Sequence, residues 1–333
     1  MIKRTLYIEG ISFDPYRNLA LEETLLDAVP ENGIILYLWQ NSHTIVIGRN
    51  QNPWKECRVR LFEEEGGRLV RRISGGGAVY HDMGNLNFTF LTNNEDYDID
   101  RQLSVITRAV AKFGIHAQKS GRNDITIDGS KFSGNAFYKN KKTAYHHGTI
   151  LLDVDGEKLS RYLTVSEAKI KSKGVDSVRS RVTCLKKHAP SIDIETLKKS
   201  MKESFLEVYG TENLEMLDLK SLPQGRIEEL TEKYSSDEFR LGTDKSFGFE
   251  MSKRFPWGEI SVGITTAGEV IEDAEVYSDA MDAEIFSEIK EAVKRSTFNG
   301  REIADEIKKI KAFDETKKTI IDDVAFMFLK SEI

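Results

Sequence analysis

The sequence predicts an α/β (α+β) protein of two domains, a large mixed α/β domain over residues 1–240 and a small α+β domain over residues 246–333. Three observations carry this reading. At 333 residues the chain is long for a single compact core. Its first two hundred or so residues alternate short apolar β-branched runs with helical patterns that open on cap signals. Beyond a polar, charged stretch from Ser235 to Lys245, three strand patterns precede three helical ones within about ninety residues, the order expected of a small α+β unit.

The elements follow in order. Thr5 to Glu9 reads as a strand. Asp14-Pro15, a capping carboxylate before a proline, opens a helix that runs to about Val29. Ile34 to Trp39 and Thr44 to Gly48 are buried strands. Asn52-Pro53 repeats the cap signal and predicts one helix to about Glu65. Arg68 to Ile73 is a strand that enters a glycine loop, and Asn85 to Leu91 is the strand leaving it. An amphipathic helix covers Asp100 to Phe113. Asp128-Gly129 marks a hairpin between strands at Asp124–Ile127 and Lys131–Gly134, and Tyr145 to Leu152 is a further strand. Lys169 to Val182 is basic, rich in small residues and aperiodic, hence a long loop. Asp193 caps a helix to about Tyr209. In the C-terminal part, strands cover Phe247–Met251, Trp257–Thr265 and Glu269–Tyr277, and helices cover Ala283–Arg295, Arg301–Ala312 and Lys318–Leu329.

Composition bounds the function. Hydrophobic residues make up 39% and charged residues 31%, as in an ordinary globular protein, and the net charge of −6 argues against broad nucleic-acid binding. Two cysteines, Cys57 and Cys184, without a CxxC, suggest neither a disulfide framework nor a cysteine zinc site. The N-terminus lacks the apolar core of a signal peptide, and runs such as Ile34–Trp39 are far short of a membrane span. The expectation is a cytoplasmic protein with neither nucleic acid nor membrane as partner.

Chemistry concentrates in two places. Arg71-Arg72-Ile73-Ser74-Gly75-Gly76-Gly77-Ala78-Val79-Tyr80-His81-Asp82 sets guanidiniums beside glycines whose amides reach a ligand without a Cβ in the way, which suits an anion; a glycine-rich turn with solvated arginines fits the same residues. The second cluster comprises Gly121-Arg122-Asn123-Asp124, Lys131-Phe132-Ser133-Gly134 and His146-His147-Gly148-Thr149. Lys131, with small Gly134 and Ala136 leaving room beside it, suits the bridging of two anionic groups; a solvent-facing strand lysine is the plainer reading. Adjacent histidines on a strand face opposite sides, so one hydrogen-bonding histidine is expected rather than a shared metal. Asp124 either meets a magnesium-bound phosphate or caps a turn. Cys57 and Cys184 read as small packed residues, and Trp54 and Trp257 as core or domain-contact residues.

In this order the motifs resemble the lipoate–protein ligase A family of bacterial type. The matching stretches are Asn18-Leu19-Ala20-Leu21-Glu22-Glu23, Val46 to Cys57, the arginine–glycine loop through Asp82, the three segments of the second cluster, and Ser177 to Thr183. The resemblance runs from about Asp14 to Thr183, with a C-terminal domain of fitting size. It implies a catalytic domain related to biotin protein ligases and an accessory domain that moves during the cycle. The implied reaction is ATP-dependent: lipoate, ATP and Mg²⁺ give lipoyl-adenylate and pyrophosphate. The lipoyl group then passes to a lysine of an acceptor domain of a 2-oxoacid dehydrogenase E2 subunit or the glycine-cleavage H protein.

The resemblance places the catalytic lysine on Lys131, the ATP site on Arg72, Ser74, Gly77, Ala78, Val79, Tyr80, Asn85, Asp124, Lys131 and Arg181, and the lipoate site on Leu19, Val46, Arg72, Lys131, His147 and Thr149. Lys131 would act electrostatically between the acyl carbonyl and the α-phosphate, and the loop from Lys173 to Val182 would close over the adenylate. The Asp124–Lys131 hairpin is shorter than in some members, which should alter only the rim. No metal ligands are identified, and the protein is expected to be a monomer. Competing readings are an octanoyl- or lipoyl-transferase using a cysteine thioester, which neither cysteine supports with a signature; a biotin ligase, whose phosphate loop has a different pattern; and a binding module without turnover.

Overall fold

The computed structural model describes residues 2–121, 123–164, 182–242, 245–331 and 333. Arg122, Arg181 and the expected lid from Lys173, apart from Val182, lie outside the described residues. Two compact units are present: Met1–Val46, Trp54–Arg71 and Val79–Arg240 form the first, and Ile47–Pro53, Arg72–Ala78 and Leu241–Ile333 form the second.

The first unit starts with β1 (Arg4–Glu9), α1 (Pro15–Asp27), β2 (Gly33–Trp39) and β3 (Thr44–Ile47). The Asp14 side chain accepts the Tyr16 amide, and proline holds the first turn of α1 as its sequence requires. The helix expected from Pro53 to Glu65 is two pieces, α2 (Pro53–Glu56) and α3 (Val59–Glu64). The break lies at Cys57, whose backbone bridges Leu163 while the Arg58 amide donates to the Tyr162 carbonyl. Extended pairing there uses the backbone groups that a continuous helix needs.

There follow β4 (Arg68–Arg71), β5 (Val79–His81), β6 (Asn85–Asn93), α4 (Ile99–Ala111), β7 (Gln118–Ser120), β8 (Asp124–Ile127), β9 (Ser130–Lys139), β10 (Thr143–Leu151) and α5 (Gly156–Tyr162). The unit closes with α6 (Ile194–Tyr209), β11 (Leu214–Met216), α7 (Gln224–Ser235) and α8 (Asp237–Arg240).

Eight strands make one sheet in the order β11-β1-β2-β6-β10-β9-β8-β7, with β1 parallel to β11 and to β2. The pairs β2–β6, β6–β10, β10–β9, β9–β8 and β8–β7 are antiparallel. Alternation sorts the side chains into two faces. Leu36, Phe88, Phe90 and Ile150 join Ile106, Val110, Met201 and Phe205 of α4 and α6 in the main core. Trp39, Asn85, Asn87, Thr89, His147 and Thr149 alternate with those core residues and lie on the opposite face, where α1 packs on β6, β10 and α7. β3 lies between β4 and β5 in a small separate sheet.

In the second unit, β12 (Phe249–Phe255), β13 (Gly258–Ala267) and β14 (Val270–Ser278) form an antiparallel sheet. The helices α9 (Ile285–Lys294), α10 (Gly300–Lys308) and α11 (Glu315–Leu329) pack with it through a core that includes Ile260, Val262, Phe286, Ile289, Ile303, Val324 and Phe328. Trp257 belongs to this core, its indole N–H donating to Asp323 at 2.8 Å, whereas Trp54 is partly exposed.

Candidate active site

The antiparallel registers set a row of residues across the sheet face opposite the main core. Trp39 of β2 pairs with Asn87 of β6, which pairs with Thr149 of β10. The Thr149 Oγ1 accepts the Gly134 amide of β9 at 3.3 Å, and Gly134 pairs with Asp124 of β8. Lys131 reaches this row because the β8–β9 register shifts between Ile125 and Thr126, so that Lys131 pairs with Thr126 and its side chain runs back over Gly134. Its Nζ stands 2.7 Å from Asp124 Oδ1, with both side chains about one-third exposed. Lys131 therefore has a carboxylate partner on the neighbouring strand, where its own strand is low in charge. The Lys131 carbonyl accepts the Thr183 amide at 2.8 Å and its backbone bridges Val182, so the chain beyond residue 181 returns to this lysine.

Both histidines of the pair are buried, on opposite faces. His147 Nδ1 lies 2.9 Å from Glu22 Oε1, and the same oxygen accepts the Thr89 hydroxyl at 2.5 Å. Trp39 Nε1 donates to Thr89 at 3.1 Å. Leu19 and Val46 are buried as well, and Val46 pairs with Val79 across β3 and β5.

His146 lies on the core face between Gln102 and Asn135, at 3.1 and 2.8 Å. Burial holds its pKa down to about 3, so the ring is neutral and carries one N–H. Asn135 Nδ2 donates to the Asn123 carbonyl, so Asn135 presents its oxygen to His146 Nε2–H. Gln102 must then turn its amide nitrogen to Nδ1, which also gives its otherwise unsatisfied Nε2 a partner. Asn123 and Asn135 exchange further hydrogen bonds, tying the residue before Asp124 to β9.

The glycine loop belongs to the second unit. Arg72 is buried and holds the loop's own backbone: Nε donates to Ser74 Oγ and the Gly75 carbonyl, and Nη2 donates to the Gly75 and Gly77 carbonyls at 2.7 and 2.8 Å. The three glycines have different jobs. A Cβ on Gly75 would meet the Ala280 and Met281 carbonyls at 2.4 Å; Gly76 has φ +88° and donates its amide to the Ala280 carbonyl; Gly77 faces open space. Ser74 is buried, its carbonyl accepting the Arg49 amide. Ala78 is partly exposed.

Arg71 belongs to the first unit and donates to the Phe239 and Arg240 carbonyls at the end of α8, a helix-terminating role that its position beside Arg72 does not reveal. Tyr80 turns its side chain into an aromatic cluster with His43, Phe62 and Tyr162, its hydroxyl 3.0 Å from His43 Nδ1. Asn85 is buried at the start of β6, its amide nitrogen donating to Asn87 Oδ1 at 2.9 Å.

Glu22 has no site role in the sequence reading beyond its place in a matching stretch, although its spacing offers a signal: Asn18 and Glu22 lie four apart within α1, and both are buried. Asn87, Thr89 and Trp39 follow from period-2 alternation once the strand registers are known, and not before. Burial raises the Cys57 thiol to about 12 and raises that of Cys184 too, the reverse of what a thiolate nucleophile needs.

The sequence profile of the lipoyl protein ligase A/B catalytic domain matches residues 14–206, and that of the bacterial lipoate protein ligase C-terminus matches residues 244–327. A lipoate-protein ligase A from Psychrobacter cryohalolentis is 35% identical over 319 residues, 94% of either chain. The crystal structure of LipL1 from P. falciparum in complex with lipoate is 28% identical with a TM-score of 0.85, covering 99% of this chain and 100% of that one. The bipartite lipoate protein ligase of Thermoplasma acidophilum, solved with its E2 lipoyl domain, is 25% identical with a TM-score of 0.64, covering 75% of this chain and 100% of its own.

Proposed function

The chain belongs to the lipoate–protein ligase family, and we propose that it activates lipoate with ATP and passes the lipoyl group to a lysine of an acceptor protein through the residues described above. Acid and nucleotide are both anions, so their meeting needs fixed positive charge where the carboxylate approaches the α-phosphorus. Lys131 supplies it. Asp124 and Gly134 hold the ammonium in place, Asp124 by the ion pair and Gly134 by leaving space for it. The lysine works by charge and not as a covalent nucleophile; in the second step the acceptor lysine's amine attacks the acyl carbonyl, the acyl C–O bond breaks, and AMP leaves with the bridging oxygen.

The buried Leu19, Val46, His147 and Thr149 are assigned to the acyl substrate. Ser74, Gly77, Ala78, Val79, Tyr80 and Asn85 are assigned to the nucleotide. Arg72 shapes the nucleotide loop through the Gly75 and Gly77 carbonyls; Tyr80 serves through its backbone, since its side chain is engaged elsewhere. Arg181 and the Lys173–Val182 loop are assigned to closure over the adenylate on the resemblance alone. Among the described residues no group of three His, Cys, Asp or Glu residues lies together to hold a metal. Mg²⁺ would come with the ATP phosphates, as is common for this ion, and Asp124 is the carboxylate next to Lys131.

The acceptors are lipoyl domains, those of 2-oxoacid dehydrogenase E2 subunits and the H protein, and the ligase acts as a cytoplasmic monomer. The observation that carries the reading is Lys131 lying over Gly134 beside Asp124 within a matched catalytic domain. Lipoate-dependent ATP–pyrophosphate exchange, followed by mass shift of an apo E2 lipoyl domain, tests it. Acyl transfer without any ATP requirement would replace it by a transferase.

A further inference from the structure

Asn87 has no place in the assignments above, yet its side chain is the least explained polar group on the site face. It is 1% exposed and Asn85 is 0% exposed. The two amides share one hydrogen bond, Asn85 Nδ2 to Asn87 Oδ1 at 2.9 Å. That bond leaves Asn87 Nδ2 and Asn85 Oδ1 buried without a partner among the described residues. Exchanging nitrogen and oxygen in both amides would move the unpaired donor to Asn85 and leave Asn87 an unpaired acceptor, which has nothing to offer a carboxylate; the observed orientation puts the donor on Asn87. A buried polar atom left in this state is costly, so such a pair implies a polar group that arrives to complete it.

Position says which group. Asn87 stands in the row Trp39–Asn87–Thr149, and Thr149 holds the Gly134 amide beside Lys131. Asn85 is nearer the turn from β5, where its amide meets the Asp82 carbonyl. One row farther along β6, the Thr89 hydroxyl is already committed to Glu22. Asn87 thus lies between the strand start assigned to the nucleotide and the closed Glu22–Thr89–His147 network. An acyl substrate whose reacting end meets Lys131 brings its carboxylate to this stretch of the sheet.

We propose that Asn87, oriented by Asn85, donates its amide N–H to the carboxylate of the acyl substrate and sets the affinity for the free acid. The assignment rests on the ligase reading. The test is titration calorimetry of the full chain with lipoate, octanoate and ATP separately, for wild type, Asn87→Leu and Asn87→Asp. Leu keeps the branched outline and removes the donor; Asp keeps the shape and sets a carboxylate against the substrate's own. Both variants should weaken lipoate and octanoate by the same factor, at least about tenfold, with Asp the weaker binder and ATP affinity within about threefold of wild type. Unchanged acid affinity in both variants would overturn the proposal, as would an effect confined to lipoate, which would place Asn87 at the ring end. Equal loss of ATP and acid binding would also overturn it, by showing that Asn87 supports the sheet and not the ligand. Failure of the wild-type chain to bind lipoate would instead remove the ligase reading beneath it.

Discussion

Lys131 lies over Gly134 so closely that a Cβ on Gly134 would stand 2.7 Å from Nζ and 2.8 Å from Cε. The glycine is therefore part of how the ammonium is placed. Gly134→Ala should push aside only the flexible end of Lys131, leaving the melting temperature within a few degrees of wild type. It should nevertheless slow pyrophosphate exchange roughly tenfold to hundredfold, since a displacement of about 1 Å at a reacting centre has an effect of that size. Normal exchange would mean that the position of the ammonium is not critical.

Asp124 is the carboxylate partner of Lys131 at 2.7 Å, and both side chains are about one-third exposed. An ion pair of that exposure contributes less than about 1 kcal/mol to stability. Asp124→Asn should thus unfold at nearly the wild-type urea midpoint while kcat falls, because the lysine loses its tether. A variant with wild-type kcat would reduce the pair to a surface contact.

The glycine loop gives a graded series. Gly75→Ala would drive a methyl into two carbonyls, at 2.4 Å each, and should destabilise the second unit by about 1–3 kcal/mol. Gly76→Ala, at φ +88°, should cost about 1–2 kcal/mol. Gly77→Ala, with nothing near its Cβ position, should be close to neutral for stability. Thermal melting of the three variants checks the order, and a Gly77 variant as unstable as the Gly75 variant would refute the distinction.

His146 gives stability a pH dependence of definite sign. Burial lowers its pKa from the ordinary 6.5 to about 3, so the unfolded chain takes up a proton that the folded chain refuses. Its contribution is complete above about pH 6.5 and is lost as the pH falls toward 3, by at most about 1.4 kcal/mol per pH unit. His146→Gln should show a shallower loss of stability than wild type between pH 6.5 and 4 in urea unfolding. Parallel profiles would show that the ring is not held neutral.

Much of this was legible in advance, and the failures have physical causes. Asp14-Pro15 and Asp193 marked helix starts because capping is local, and the Asp193 box forms with Thr196. Pro53 misled because the tertiary pairing of Cys57 with Leu163 overrode the local helix signal. The helix α7 did carry a signal, Ile227, Leu230 and Tyr234 at helical spacing and all buried, which the surrounding charges obscured. Lys131 with Gly134 could be picked out from sequence order. The unlike roles of Gly75, Gly76 and Gly77 could not, since they depend on carbonyls more than two hundred residues away. Nor could Arg71 be separated from Arg72, because both fit an anion and only the fold sends one to the end of a helix.

The central claim is that Lys131 provides the charge for adenylate formation. Lipoate-dependent ATP–pyrophosphate exchange by wild type and Lys131→Ala, with circular dichroism confirming the same fold, tests it most directly. Wild type should exchange only when lipoate is present, and the variant should lose at least about a hundredfold of that rate. A folded Lys131→Ala protein exchanging near the wild-type rate would contradict the claim.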